Sequence, residues 1–267
     1  MSIGKRVRLN RLFGHPSGRF CSIAVDHFIG YGEGLPPGLR PMRATLAAIV
    51  AGQPDAVTMH RGMALSAWEP HAGRVPLILQ SSLARPDDSV REQVLEAEEA
   101  VRFGAEALAV AGFVRGATEG RFLRTVAETA QAAARCGMPL IVHVYPREFR
   151  DGAHISYAPE DIAWAVRGVW ECGADVIKVP FCNEAKAFAQ IVAECAVPVV
   201  IAGGPQTATL QAALEMFSVA VNCGARGVTV GRNVWAHPQI TAVVRALKAV
   251  VHEGRDAPEA MRCEGLA

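Results

Sequence analysis

Eight short apolar runs that alternate with amphipathic segments predict an α/β fold, a single-domain (β/α)8 or TIM barrel. A glycine follows several of the helical segments, as in Cys136-Gly137 and Cys172-Gly173, where a helix end needs the left-handed conformation. The length of 267 residues is typical of one such barrel. A doubly wound open sheet is the alternative, but no glycine-rich GxGxxG motif follows the first run.

The eight predicted strands are apolar on both faces, as strands of a parallel sheet covered by helices are. This pattern differs from the strict alternation of an antiparallel sheet with one face in water. In chain order the strands span 21–25, 56–59, 76–79, 107–110, 140–144, 175–179, 198–201 and 227–230.

Helices are predicted in most of the gaps, because apolar residues recur there at helical spacing. They span 41–51, 89–103, 119–136, 159–172, 184–194, 207–222 and 238–252. The connection over 60–75 has poor helical periodicity and carries the segment His60-Arg61-Gly62. Residues 1–20 are expected to form a basic, solvated lead-in, and residues 1–267 together form one domain, since no linker divides them.

Composition excludes several functional classes. The formal net charge of +1 argues against a nucleic-acid or membrane-surface partner. No signal peptide or membrane-spanning run is found, so a cytoplasmic location is expected. The seven cysteines form no CxxC pair and have no close Cys/His spacing, so we expect free thiols, no metal site and no cofactor.

The lysine of the sixth predicted strand is the most informative residue. Lys178 is flanked by Ile177 and Val179, and burial in such a strand disfavours the ammonium form. A neutral amine is nucleophilic and condenses with carbonyl groups to give a Schiff base. The alternative is a lysine that reaches past the strand end to water, or that pairs with a carboxylate such as Asp26.

Three further residues at strand ends are candidates for the same site. His143 and Tyr145 are two positions apart, so their side chains point to one face of the fifth strand. If that face is the barrel interior, the Tyr145 phenol lies near Lys178 and can move a proton, while Asp26 can orient the amine. The alternatives are a core tyrosine, a hydrogen-bonded interior histidine and a capping aspartate.

The ends of the seventh and eighth strands predict a phosphate site. Gly203-Gly204 and Gly231-Arg232 lie where this fold frequently binds phosphate, because main-chain N–H groups there point at an anion. Arg232 can add a charge-assisted contact. The alternative is that these glycines serve tight turns. His27 and His143 are further candidates for substrate binding.

These residues and their order resemble the archaeal-type class I fructose-bisphosphate aldolase family, within the larger group of deoxyribose-phosphate-type Schiff-base aldolases. That group includes 2-amino-3,7-dideoxy-heptulosonate synthase and the thiolase that acts on phosphorylated autoinducer-2. The resemblance covers nearly the whole chain and rests on Val25-Asp26-His27, His60-Arg61-Gly62, Tyr145-Pro146-Arg147, Ile177-Lys178-Val179, Val199 to Pro205 and Gly227 to Asn233.

The resemblance implies that Lys178 forms the Schiff base, that Tyr145 transfers a proton and that Asp26 assists. The glycine loops would hold the phosphate of a small phosphorylated carbonyl substrate. No metal is implied, because the iminium serves as the electron sink. Relatives commonly assemble as rings of five, often stacked into ten, so a homo-oligomer is expected.

The predicted function is therefore a class I, metal-independent aldolase of a phosphorylated ketose, with dihydroxyacetone phosphate or a related ketone phosphate as the Schiff-base partner. A transaldolase-like synthase or a thiolase is the alternative in the same fold, and Tyr145 favours the aldol-type reaction. A non-catalytic sugar-phosphate binder is the third reading. The chain departs from the family's usual pattern at Phe28, Arg61, His143 and Glu148, and these positions bear on the substrate.

Overall fold

The computed structural model describes residues 1–31 and 34–266 and contains a closed barrel of eight parallel strands. Each strand pairs with the next one around the barrel, and the pairing of the fourth with the fifth closes the ring. The predicted barrel is confirmed, and the alternative of an open sheet is wrong. The barrel strands are β1 (Phe20–Ala24), β2 (Ala56–His60), β3 (Leu77–Gln80), β6 (Ala107–Val114), β7 (Leu140–Glu148), β9 (Val176–Val179), β10 (Val199–Ala202) and β11 (Gly227–Val230).

The helices lie outside the strands, and the longer ones bury one face, as Phe122, Ile162 and Phe217 show. None of the helices in the described residues is both long and apolar enough to cross a membrane. The π-helix Ala249–Glu253 continues the eleventh helix. The α-helices are α1 (Ile3–Leu12), α2 (His27–Tyr31), α3 (Met42–Ala51), α4 (Arg61–Ala67), α5 (Ala97–Arg102), α6 (Glu119–Arg135), α7 (Pro159–Glu171), α8 (Ala185–Ala193), α9 (Leu210–Asn222), α10 (Arg232–Trp235), α11 (Ile240–Lys248) and α12 (Ala257–Cys263).

The loops after β3 and β7 contain short antiparallel strands. Strands β4 (Ser82–Ala84) and β5 (Arg91–Gln93) form a hairpin, and β8 (His154–Ile155) pairs with the end of β7. The predicted helix over 89–103 is therefore wrong in its first half. The Arg-Glu-Gln run of β5 has high helix propensity, but pairing with β4 overrides this local preference.

The amino-terminal segment folds against the barrel instead of being a solvated lead-in. Helix α1 begins at a Ser2 cap and ends with Leu12 fully buried. The ammonium of Lys5 lies 2.8 Å from a carboxylate oxygen of Asp175, immediately before β9. This segment therefore closes the end of the barrel at which the strands begin.

The barrel interior changes from apolar to polar along its axis. At the end nearest α1, Leu12 packs with interior residues of the strands in one buried cluster, which includes Phe20, Ile78 and Val200. At the other end the inward side chains are polar, and Gln80, His143 and Lys178 are all almost fully buried. Since buried polar groups need partners, this end of the barrel is where a functional site is expected.

Candidate active site

A cavity of about 220 Å3 opens at the carboxyl ends of the strands. Seven of the residues that the sequence predicts for the site line this cavity, together with further residues from the loops. The remaining two predictions, Asp26 and His143, line a smaller cavity on which Lys178 and Tyr145 also border. The larger cavity is lined by His27, Pro86, Phe113, Tyr145, Ile155, Tyr157, Lys178, Pro180, Ala202, Gly203, Gly204, Pro205, Thr229, Gly231 and Arg232.

Lys178 is the buried amine that both cavities share. It lies on β9 with only 3% of its surface exposed, next to His143 of β7 in the parallel ladder. Burial lowers the pKa of its ammonium to about 8, against the opposing attraction of the Asp26 carboxylate. A substantial fraction of neutral, nucleophilic amine is therefore present near neutral pH.

Asp26 follows β1 and lies among Gln80, His27 and Lys178. The Gln80 amide donates to its Oδ2 at 3.0 Å, and Nδ1 of His27 lies 3.5 Å from its Oδ1. Burial raises the pKa of Asp26, but interaction with His27, Lys178 and His143 outweighs burial and lowers it below its usual range. Burial also lowers the pKa of His27, to about 4. Asp26 is thus an anion beside the amine.

Gln80 fixes both the position and the tautomer of His143. Main-chain and side-chain groups of Ser82 donate to Gln80 Oε1 at 3.3 Å, which turns the amide nitrogen toward Asp26 and His143. That nitrogen lies 3.4 Å from His143 Nδ1, so we assign the ring proton to Nε2. Burial, reinforced by Lys178, lowers the pKa of His143 well below its ordinary value. His143 is therefore a neutral group.

Tyr145 stands two residues beyond His143 on the same inward face of β7. Its ring packs against Phe113, with ring centroids 5.8 Å apart. Lys178 and Tyr145 border the same two cavities, as the sequence predicts for a lysine and a proton-transferring phenol. The arrangement therefore places a titratable hydroxyl where a substrate held by the lysine would lie.

Arg147, two residues further on, ties three loops of the site together. Its fully buried guanidinium lies 2.9 Å from the Asp88 carboxylate and donates to the carbonyl oxygens of Pro86 and Arg115 at 2.6 and 3.1 Å. It also lies over the ring of Phe113. Because Pro86 and Phe113 line the larger cavity, Arg147 holds the wall that Tyr145 packs against.

The two glycine segments meet at the opposite wall. An amino group of Arg232 donates to the Gly204 carbonyl at 3.3 Å, and Gly204 has a φ of +68°. A side-chain carbon on Gly231 would lie 2.2 Å from the His27 ring, so only glycine fits there. The Arg232 charge and the exposed main chain of these turns suit a phosphate group.

Among the lining residues that the sequence did not predict for the site, four have polar side chains that bear on its chemistry. His60 ends β2, Gln80 ends β3, Ser82 begins β4 and Tyr157 precedes α7. The sequence signal that could have identified Gln80 is its polar side chain at the end of an otherwise apolar strand. Tyr157 gave no signal, because its place depends on how the β7–β8 loop folds back over the barrel.

Comparison with known proteins defines the class. Residues 21–237 match the model of the DeoC/LacD family aldolases, and the chain belongs to this family. It is 32% identical over 269 residues to a 2-amino-3,7-dideoxy-D-threo-hept-6-ulosonate synthase of Halobacterium salinarum, covering 98% of this chain and 97% of the relative. It is 31% identical to a 3-hydroxy-5-phosphonooxypentane-2,4-dione thiolase of Escherichia coli, covering 96% of this chain and 85% of the relative.

Solved structures agree with this membership. The chain is similar to an archaeal fructose 1,6-bisphosphate aldolase, with a TM-score of 0.82 and 30% identity over 94% of this chain and all of that one. A second archaeal aldolase structure has a TM-score of 0.81 and 28% identity, covering 93% of this chain and 99% of that one, and its catalytic lysine is bound covalently to a carbinolamine intermediate. The predicted family resemblance is confirmed.

Proposed function

We propose that this chain makes or breaks a carbon–carbon bond of a phosphorylated keto sugar through a Schiff base on Lys178. The observation that carries the proposal is the buried Lys178 amine, with its lowered pKa, bordering the same cavity as Tyr145 and the Gly204–Arg232 wall. A ketone phosphate would place its phosphate on that wall and its carbonyl at the amine.

Each residue then has a chemical role. The neutral Lys178 amine adds to the carbonyl carbon, and loss of water from the carbinolamine leaves an iminium. When the carbon–carbon bond breaks, its electron pair moves to the iminium nitrogen, and Tyr145 removes the proton of the hydroxyl on the departing carbon. That carbon becomes an aldehyde. Asp26 stabilises the cationic nitrogen, since it is an anion throughout neutral pH.

Bond formation reverses these steps with a second carbonyl compound as the acceptor. The enamine left on Lys178 attacks the acceptor, and Tyr145 returns the proton to the new hydroxyl. We propose this transaldol-type synthase reaction as the main activity, in preference to cleavage of a sugar bisphosphate. The similarity to the heptulosonate synthase of Halobacterium salinarum supports it.

The charges around the cavity support one phosphate per substrate. Among the described residues that line the larger cavity, Arg232 carries the one permanent positive charge, because Lys178 reacts as a neutral amine and burial keeps His27 neutral. A bisphosphate would need a second cationic anchor at its other end. Pro86, Phe113 and Ile155, which also line the cavity, carry no charge. We therefore propose a monophosphate whose other end is less polar.

Borohydride reduction tests this function. Incubation with dihydroxyacetone phosphate and borohydride should leave a reduced adduct on Lys178, located by peptide mass spectrometry. The variant Lys178→Met should give no adduct, whereas Lys186→Met, which removes a lysine from α8, should react like the wild type. Absence of an adduct on folded wild-type protein would refute the proposal.

A further inference from the structure

A second, smaller cavity of about 30 Å3 lies on the far side of Lys178 from the glycine segments. It shares Lys178, Tyr145 and Phe113 with the larger cavity, but its other walls come from the ends of β1, β2 and β3 and their neighbours. These walls are Asp26, His60, Gln80, Ser82, Ala84, Ala111 and His143.

The volume of this small cavity limits which molecules it can hold. A water molecule needs roughly 10–15 Å3 of such volume, so the cavity has room for one or two waters. It has no room for the carbon fragment of a sugar. A buried water also needs two to four polar partners, and the lining of this cavity is largely polar.

His60 has a ring nitrogen that is available to bind a water, whereas Gln80 and Ser82 already make hydrogen bonds. The Gln80 amide and the Ser82 hydroxyl bond to each other, to Asp26 and to the main chain of β6. The Nδ1 atom of His60 is buried, and within the described part of the chain it makes no hydrogen bond. The main-chain carbonyl groups of Gln80 and Asp26 lie within hydrogen-bonding range of the ring. His60 Nδ1 and the Asp26 carboxylate can therefore hold a water between them.

Schiff-base chemistry requires such a water at this place. Forming the iminium on Lys178 expels one water, and releasing the product consumes one. We propose that the small cavity holds the water that hydrolyses the Lys178 iminium, and that His60 is the base that takes the proton of this water. This inference rests on the function proposed above. No step of the carbon–carbon bond chemistry uses His60.

Basicity distinguishes His60 from the other groups around the amine. Burial lowers the pKa of His60, but the attraction of Asp26 and the two nearby carbonyl groups oppose it. The pKa of His143 is lowered further, and that of Asp26 lies below its usual range. His60 is therefore neutral near pH 7 and a better proton acceptor than either neighbour.

The step balances as follows. Water oxygen bonds to the iminium carbon, the C=N electron pair moves to the lysine nitrogen, and one water proton passes to His60. His60 then gives that proton to the nitrogen, and the C–N bond breaks with its electron pair left on the amine. The hydroxyl proton leaves through Asp26 to solvent. One water is consumed, and the ketone, free Lys178 and one proton are released.

A chase experiment measures this step directly. The enzyme is saturated with 13C-labelled dihydroxyacetone phosphate, mixed with excess unlabelled compound and quenched with borohydride at successive times. Loss of the labelled adduct from Lys178 gives the hydrolysis rate by mass spectrometry. In His60→Gln this rate should fall about a hundredfold. The fraction of Lys178 trapped at equilibrium should stay unchanged, because a base speeds formation and hydrolysis alike.

The controls separate chemistry from folding. His60 precedes α4 without capping it through its side chain, so the substitution removes no helix cap. His71→Gln removes another buried histidine, outside both cavities, and should chase like the wild type. Ala84→Val, which adds methyl groups at the small cavity, should also slow the chase by excluding water.

Each outcome has one meaning. A wild-type chase rate in His60→Gln would refute the role of His60, and an equally slow chase in His71→Gln would do the same. A lowered equilibrium fraction in His60→Gln would show a structural role instead and overturn the inference. Failure of wild-type protein to form any adduct would refute the proposed function itself.

Discussion

Replacing Asp26 with asparagine should move the titration of Lys178 to lower pH. With a pKa of about 8, about a tenth of the Lys178 amine is neutral at pH 7. A lysine of ordinary pKa 10.5 has about one neutral amine in 3,000 at that pH, so the site gains about 300-fold in nucleophile. Asp26 opposes this gain, because its negative charge stabilises the ammonium form.

The size of the shift follows from the nearby charge. An opposite charge next to an ionisable group typically moves its pKa by about 1–3 units. Asp26→Asn should therefore lower the pKa of Lys178 from about 8 to about 5–7. More than half of the amine would then be neutral at pH 7.5. The overall rate can still fall, since the iminium loses its counter-charge.

The initial rate of borohydride-trapped adduct against pH measures this midpoint separately from the maximal rate. We expect a wild-type midpoint near 8 and a lower midpoint in Asp26→Asn. Asp175→Asn, immediately before β9 and facing Lys5 at the other end of the barrel, should leave the midpoint unchanged. A wild-type midpoint near 10.5, or one that stays in place without Asp26, would show that the amine is not desolvated or not coupled to Asp26.

Three further substitutions test other parts of the site. Arg147→Lys should reduce the free energy of unfolding, measured in urea, by about 1.5–3 kcal/mol, because hydrogen bonds of a buried charged group are lost. Arg150→Lys, in the exposed loop, should change this free energy little, and equal effects of the two substitutions would contradict the role of the Arg147 guanidinium. Tyr145→Phe should still form the dihydroxyacetone phosphate adduct but lose about a hundredfold in carbon–carbon bond turnover, and normal turnover would reassign proton transfer. Arg232→Gln should weaken the binding of dihydroxyacetone phosphate, measured by calorimetry, about tenfold, whereas Arg226→Gln, at the other end of the barrel, should leave it unchanged. Unchanged affinity in Arg232→Gln would show that Arg232 does not bind the phosphate.

The barrel could be predicted from the sequence because each of its signals is local. Apolar runs of four or five residues and glycines after helices report on backbone preference and burial without any knowledge of distant contacts. The hairpin of β4 and β5 could not be predicted, since Arg91–Gln93 reads as helix and forms a strand only by pairing with Ser82–Ala84. The packing of Leu12 under the barrel likewise depends on contacts distant in sequence.

The same distinction holds for the site. Lys178 was predictable because a charged side chain inside an apolar strand is unusual by itself. His60 and Gln80 were not, although they border the same amine, because a single polar residue at a strand end is common. Their importance comes from meeting around Asp26, and only the closed barrel places them together.

The barrel is closed at the end where its strands begin, and this closure has a kinetic consequence. Because Leu12 and the interior apolar cluster fill that end, substrates and products share the opening at the carboxyl ends of the strands. The larger cavity, about 220 Å3, is smaller than the ~300–1,000 Å3 of pockets that hold drug-sized ligands. In the two-substrate reaction proposed above, we expect the first product to leave through this opening before the second carbonyl compound enters. A two-substrate reaction here should follow ping-pong kinetics, with parallel lines in double-reciprocal plots.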